Sequence, residues 1–185
     1  MTVRSKSTER IALCGLLISL MLILGYVESL LPSLPGVVGA KLGLANSVLL
    51  YGIYMMGPGT AFVLMVLKVL LSGLLFGGVS AMLYSLAGGL MSLLLMLLVK
   101  RVKGISVIGV SMTGAVFHNV GQVLMAMVIL HTTKLMYYMS VLMIIGLVTG
   151  LLTGTAASYV MKHLNAGRQG AARKRGQRTS NGGGS

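Results

Sequence analysis

Apolar residues run along this chain in six long stretches punctuated by short clusters of Pro, Gly and charge. They cover roughly residues 10–31, 42–56, 60–76, 79–99, 105–130 and 135–162. The breaks are Leu31-Pro32-Ser33-Leu34-Pro35-Gly36, Gly57-Pro58-Gly59, Gly77-Gly78, Lys100 to Gly104, and His131 to Lys134. The runs have the length of helices, without the alternation of about ten-residue barrel strands. Several breaks are so tight that the flanking helices are expected to be antiparallel neighbours. The second and third runs fall below the roughly twenty residues of a full span, so they are expected to be tilted, bent or partly re-entrant.

Composition identifies the solvent. The chain has 185 residues, 56% of them apolar and 9% charged, and a mean hydropathy of +0.93, more than a water-soluble core of this size needs. Unpaired backbone amides are costly in hydrocarbon, which leaves helices or a closed barrel as spanning elements. The expected fold is all-α: a polytopic membrane bundle of about six helices over residues 10–163, between an N-terminal tail (1–9) and a basic, Gly-rich C-terminal tail (164–185). The closing residues Asn181-Gly182-Gly183-Gly184-Ser185 resemble an appended linker.

Charge adds topology. Fifteen Lys and Arg against two acids, Glu9 and Glu28, give a net charge of +13. Most cations lie in the N-terminal tail (Arg4, Lys6, Arg10), one loop (Lys100, Arg101, Lys103) and the C-terminal segment (Lys162, Arg168, Arg173, Lys174, Arg175, Arg178). An even number of spans puts all three clusters on one side, as the positive-inside rule requires of the cytoplasm. The excess is therefore read as topology and attraction to membrane lipids, with no nucleic acid as partner. The basic N-terminus followed by an apolar run mimics a signal peptide, but lacks a small-x-small cleavage pattern and is taken as a retained span. The single Cys14, inside the first run, is read as a packing residue.

Small residues recur at helical spacing: Gly146, Gly150 and Gly154; Gly73 with Gly77; Ser85 with Gly89. Such faces let helices approach closely, either inside the bundle or against a partner membrane protein.

A few polar groups fall where lipid should exclude them. Lys68 lies deep in the third run among Val66, Leu67, Val69 and Leu70, where an ionisable group costs at least about 2.5 kcal/mol. It is either a structural pair or a cation for an anionic ligand. On the fifth run His118, Asn119 and Gln122 have the spacing of one helical face, as interhelical glue or as ligand contacts. They do not suggest a metal site, because no second His, Cys or carboxylate accompanies them. Glu28, Lys41 and Asn46 lie near the outer ends of the first two runs, and Glu28 can pair with Lys41 or Lys68 or touch a ligand directly. A pocket open to the outside is the expected consequence.

The chain has no aspartate, which removes the clustered Asp–magnesium site of a prenyl-diphosphate synthase. It has no P-loop, and no nucleophile-elbow serine accompanies its acids. No catalytic residue, metal or cofactor is expected, and any ATPase or prenyltransferase activity would belong to a partner.

The segments Val27-Glu28-Ser29-Leu30-Leu31-Pro32, Lys41-Leu42-Gly43-Leu44-Ala45-Asn46, Leu74-Leu75-Phe76-Gly77-Gly78, Tyr84-Ser85-Leu86-Ala87-Gly88-Gly89 and Gly114-Ala115-Val116-Phe117-His118-Asn119-Val120-Gly121-Gln122 together resemble the Gx transporter family, also labelled heptaprenyl diphosphate synthase component I. The likeness covers about residues 10 to 162. The resemblance implies kinship with the substrate-binding S-components of energy-coupling-factor transporters, which take a small-molecule substrate from outside and dock on a transmembrane coupling subunit driven by ATPases. It implies a ligand site lined by Glu28, Asn46, Lys68, His118, Asn119 and Gln122. Docking would use small residues of the first helix, Ala12, Gly15 and Ser19, together with Gly146, Gly150 and Gly154. The usual Ala-x3-Ala docking pair is broken, since Leu16 follows Ala12 by four. The alternative label implies a membrane accessory subunit of a soluble prenyltransferase that makes the isoprenoid tail of menaquinone.

Overall fold

A computed structural model describes residues 3–30 and 44–181, with side chains from Thr8 to Leu30 and from Ala45 to His163. The stretch 31–43, with Lys41 and the Pro32–Pro35 break, and the final residues 182–185 lie outside the described residues. The helices are α1 (Val3–Leu30), α2 (Leu44–Met55), α3 (Pro58–Ser72), a π-helical turn (Gly73–Gly77), α4 (Gly78–Lys100), α5 (Val107–Ile129) and α6 (Met136–Asn181). Among the described residues there is no strand.

Four segments are long and apolar enough to cross a membrane: Thr8–Leu30, Pro58–Lys100, Val107–Ile129 and Met136–His163. Among the described residues there are six α-helices, but six crossings do not follow from these lengths. The 12 residues of α2 reach about 18 Å at about 1.5 Å per residue, short of the roughly 30 Å hydrocarbon core.

Pro58–Lys100 is not one straight rod. A Cβ on Gly73 would stand 2.8 Å from Met82 Cβ, and one on Gly89 would stand 2.9 Å from Met65 Sδ. Those pairs are too far apart in sequence to touch within one helix, so α3 and α4 are antiparallel arms. The chain reverses at Gly77-Gly78, where Gly78 takes φ 71°, a backbone region that only glycine enters at no steric cost. The opposite turn uses the same device: Gly57 has φ 98°, and Pro58 opens α3 at its first position, where its missing N–H costs nothing.

The short α2 lies in the middle, packed against α1, α3, α5 and α6. That explains its largely apolar composition: Ala45, Val48, Leu49, Leu50, Gly52 and Ile53 are all buried, since a helix with neighbours on most sides keeps little room for polar side chains. Its C-terminal end is held by α4. Lys100 Nζ donates to the Ile53 carbonyl at 2.8 Å and stands 4.3 Å from the centre of the Tyr54 ring, satisfying a carbonyl that has no intrahelical partner.

On the other side α4, α5 and α6 stack as antiparallel neighbours. The Ser106 hydroxyl caps α5 by accepting from the Gly109 amide at 3.2 Å. The backbone of α6 remains helical to Asn181, well past the hydropathy limit near residue 163.

Candidate functional site

The polar residues of α5 divide between two neighbours. His118 and Asn119 are buried, and Gln122 is half-buried. Opposite them on α4 stands Gly88, where a Cβ would come within 2.6 Å of the His118 carbonyl oxygen, 2.8 Å of Gln122 Cγ and 3.1 Å of His118 Nδ1. Gly121 answers from α5: its Cβ would fall 2.8 Å from Gly88 Cα and 2.9 Å from the Ala87 carbonyl oxygen. Two glycines thus let the backbones touch where His118 and Gln122 face α4. Asn119 turns the other way, and its Nδ2 donates to the Leu142 carbonyl of α6 at 2.9 Å. A step of one residue rotates the side chain by about 100°, enough to change helical neighbour.

Lys68 is half-buried on α3. Leu64 and Ala61 of that helix meet Gly52 of α2, Leu64 Cδ1 lying 3.2 Å from where a Gly52 Cβ would be. Lys68 follows Leu64 by one turn and so falls on the same α2-facing stripe. In this antiparallel register it comes level with Asn46, also half-buried. The Met65–Gly89 contact on one side of α4 and the Gly88–Gln122 contact on the other place Lys68 within about one helical turn of the level of Gln122.

Glu28 is buried, 7% exposed, near the end of α1. Tyr26 beside it packs edge-on against Phe76 of the π turn, with ring centres 5.7 Å apart. Glu28 therefore lies toward the α3–α4 turn, beyond Lys68. Glu28, Asn46, Lys68 and Gln122 thus lie toward the end of the bundle away from Lys100, and His118 and Asn119 lie at the middle of α5.

The small residues separate more sharply. Ala12, Gly15 and Ser19 are exposed on α1, a Cβ on Gly15 would meet nothing within 4 Å, and Ile11, Leu16, Leu20 and Ile23 flank them as exposed apolar side chains. Gly146, Gly150 and Gly154 instead lie inside the bundle against α5. Their Cβ atoms would stand 3.1, 2.6 and 3.0 Å from the Cα atoms of Val116, Met112 and Ile108. The Ser111 and Thr153 hydroxyls join α5 to α6 at 3.2 Å.

Gly88, Gly114 and Gly121 stand in the segments that carry the family resemblance without a role assigned to them, and Ser92 lies outside those segments; all four are buried on the facing sides of α4 and α5. The spacing Ser85, Gly88, Ser92 and the seven-residue step from Gly114 to Gly121 were the available signals.

Long apolar helices, joined by close backbone contacts and a few buried polar side chains, place this chain in the class of helical membrane proteins. The chain belongs to the heptaprenyl diphosphate synthase component I family, whose profile matches residues 17–160. That range contains all six expected ligand residues. No curated protein and no solved structure matches it.

Proposed function

We propose that this protein is the membrane-embedded, substrate-binding subunit of an energy-coupling-factor-type transporter, taking up a small anionic or polar solute from outside. The observation that carries this reading is the set of polar side chains inside the apolar bundle. Lys68 on α3 stands within about a turn of the level of Gln122 on α5, and His118, 8% exposed, precedes Gln122 by one turn of that helix. Ionisable groups inside a span are rare and commonly mark substrate pathways, and a lysine at this depth suits the anionic part of a solute. In this reading the chain crosses the cell membrane six times, with both termini and the Lys100–Lys103 loop in the cytoplasm. It has no catalytic activity of its own, and the exposed Ala12–Gly15–Ser19 face of α1 meets the coupling subunit.

A second reading draws on the family's description: a non-catalytic membrane subunit that anchors a soluble prenyltransferase. Its support is the name of the family, which implies a second synthase component.

Mild-detergent purification of the tagged chain from its native membrane distinguishes the two. Recovery of a membrane coupling protein with ATPases is the expected result. A soluble, aspartate-rich prenyltransferase whose activity depends on this chain, with no ATPase present, would replace the first reading by the second.

A further inference from the structure

Between Gly88 and Met96, the side of α4 that meets α5 also carries Ser92. Gly88 touches α5 at His118 and Gln122, and Met96 touches it at Gly114. Ser92 is four residues from each, so it lies on the same stripe at the level of His118. Its side chain is wholly enclosed, 0% exposed, and its Oγ has no hydrogen-bond partner.

That state is unusual within this chain. A hydroxyl inside a helix ordinarily bonds the carbonyl three or four residues earlier, and Ser19, Ser72, Thr113, Thr155 and Ser158 all do so here. Ser92 does not, although burial has removed the water that would otherwise serve it. A hydrogen-bonding group entering the seam would satisfy it.

We propose that Ser92 is a further ligand-contacting residue, completing with His118 and Gln122 a surface that recognises an uncharged hydrogen-bonding part of the solute, such as an amide or hydroxyl. The inference rests on the binding-subunit reading and narrows its substrate class. Between Gly78 and Val99 on α4, and along all of α5, no residue carries a formal charge, so nothing in this seam favours an ionic group. The three side chains offer both donors and acceptors. Around Gly88 the His118 and Gln122 side chains lie against the α4 backbone, one turn from Ser92. The solute's anionic part would lie toward Lys68, nearer the α3–α4 turn.

Substituted-cysteine accessibility tests this without knowledge of the solute. In the full chain in membrane vesicles, with Cys14→Ala removing the only native thiol, single cysteines are placed by Ser92→Cys, His118→Cys, Gln122→Cys and Leu93→Cys. Leu93, also buried at 4% exposed, follows Gly89 by one turn and so falls on the α3-facing stripe. The probe is 2-hydroxyethyl methanethiosulfonate, small, neutral and water-soluble. Because such reagents need a hydrated thiolate, Ser92→Cys is expected to react at least ~10-fold faster than Leu93→Cys. Reaction at His118→Cys or Gln122→Cys with Ser92→Cys as inert as Leu93→Cys would overturn the assignment of Ser92 and leave the binding reading standing. Inertness at all three seam positions would overturn both.

Thermal unfolding of Ser92→Ala gives an independent check. A hydroxyl without an internal partner is expected to leave Tm unchanged or raised. A fall of more than about 4 °C would mean that the hydroxyl is bonded within the fold, and would overturn the proposal.

Discussion

The α4–α5–α6 side of the bundle is assembled backbone to backbone, whereas the α1–α2–α3 side is assembled through large side chains. On the first, Gly88, Gly121, Gly146, Gly150 and Gly154 each stand where a Cβ would press on the neighbouring helix. On the second, Met21, Leu49, Leu50, Ile53, Leu64 and Met65 fill the space at 2% exposure or less. Lipid offers no hydrophobic drive for helices to associate, so both sides depend on contact density. On the first, glycines bring a buried amide within reach of a neighbour's backbone. Asn119 bonds the Leu142 carbonyl because Gly146 leaves the room, a Cβ there falling 3.1 Å from Asn119 Nδ2. The expected ligand residues of α5 lie on the side of close backbone approach, and Glu28, Asn46 and Lys68 lie on the other.

The comparison breaks most visibly at Gly150. Its Cβ would be 2.6 Å from Met112 Cα, and backbone cannot swing aside, so Gly150→Leu should abolish the monodisperse folded protein in size-exclusion chromatography. A normal elution profile would show that α5 and α6 are not held by glycine contact. On the other side, Leu49→Ala leaves a cavity that collapses only in part. It should destabilise by about 2–5 kcal/mol in reversible unfolding while the protein still folds.

Asn119→Ala should cost less, about 0.6–1.7 kcal/mol, the range for interhelical hydrogen bonds in membranes. A larger loss would mean that Asn119 secures more than the one carbonyl. The smallest effect belongs to Gly15. With open space around it, Gly15→Ala should change stability by no more than about 1 kcal/mol, in the stabilising direction, because alanine favours the helix. Unchanged folding combined with lost recovery of the coupling protein would locate docking on α1; retained recovery would remove Gly15 from that role.

The sequence was informative about breaks and much less so about neighbours. Gly57-Pro58-Gly59, Gly77-Gly78, the Lys100–Gly104 loop and the His131–Lys134 loop interrupt the helices where their turn chemistry places them, since glycine and proline act on the local backbone. The central position of α2 was not legible, because a short apolar run looks the same beside lipid as beside four helices. Likewise Gly146, Gly150 and Gly154 had the spacing of a close contact without saying with what; the answer, α5, needs the third dimension. The spacing of His118, Asn119 and Gln122 indicated a shared face, yet Asn119 contacts α6 while the other two face α4. Ser92 escaped notice for a related reason: a serine in a helix usually bonds its own backbone, and only the side-chain geometry shows that this one does not.

Native mass spectrometry of the detergent-purified chain, compared with its Lys68→Met and His118→Ala variants, tests the central claim most directly. The account predicts a small polar or anionic solute carried at one per chain by the wild-type protein and lost from both variants, each still folded and monodisperse. The same solute retained at equal occupancy by both variants would contradict the placement of the site, and with it the reason for reading this membrane protein as a binding subunit.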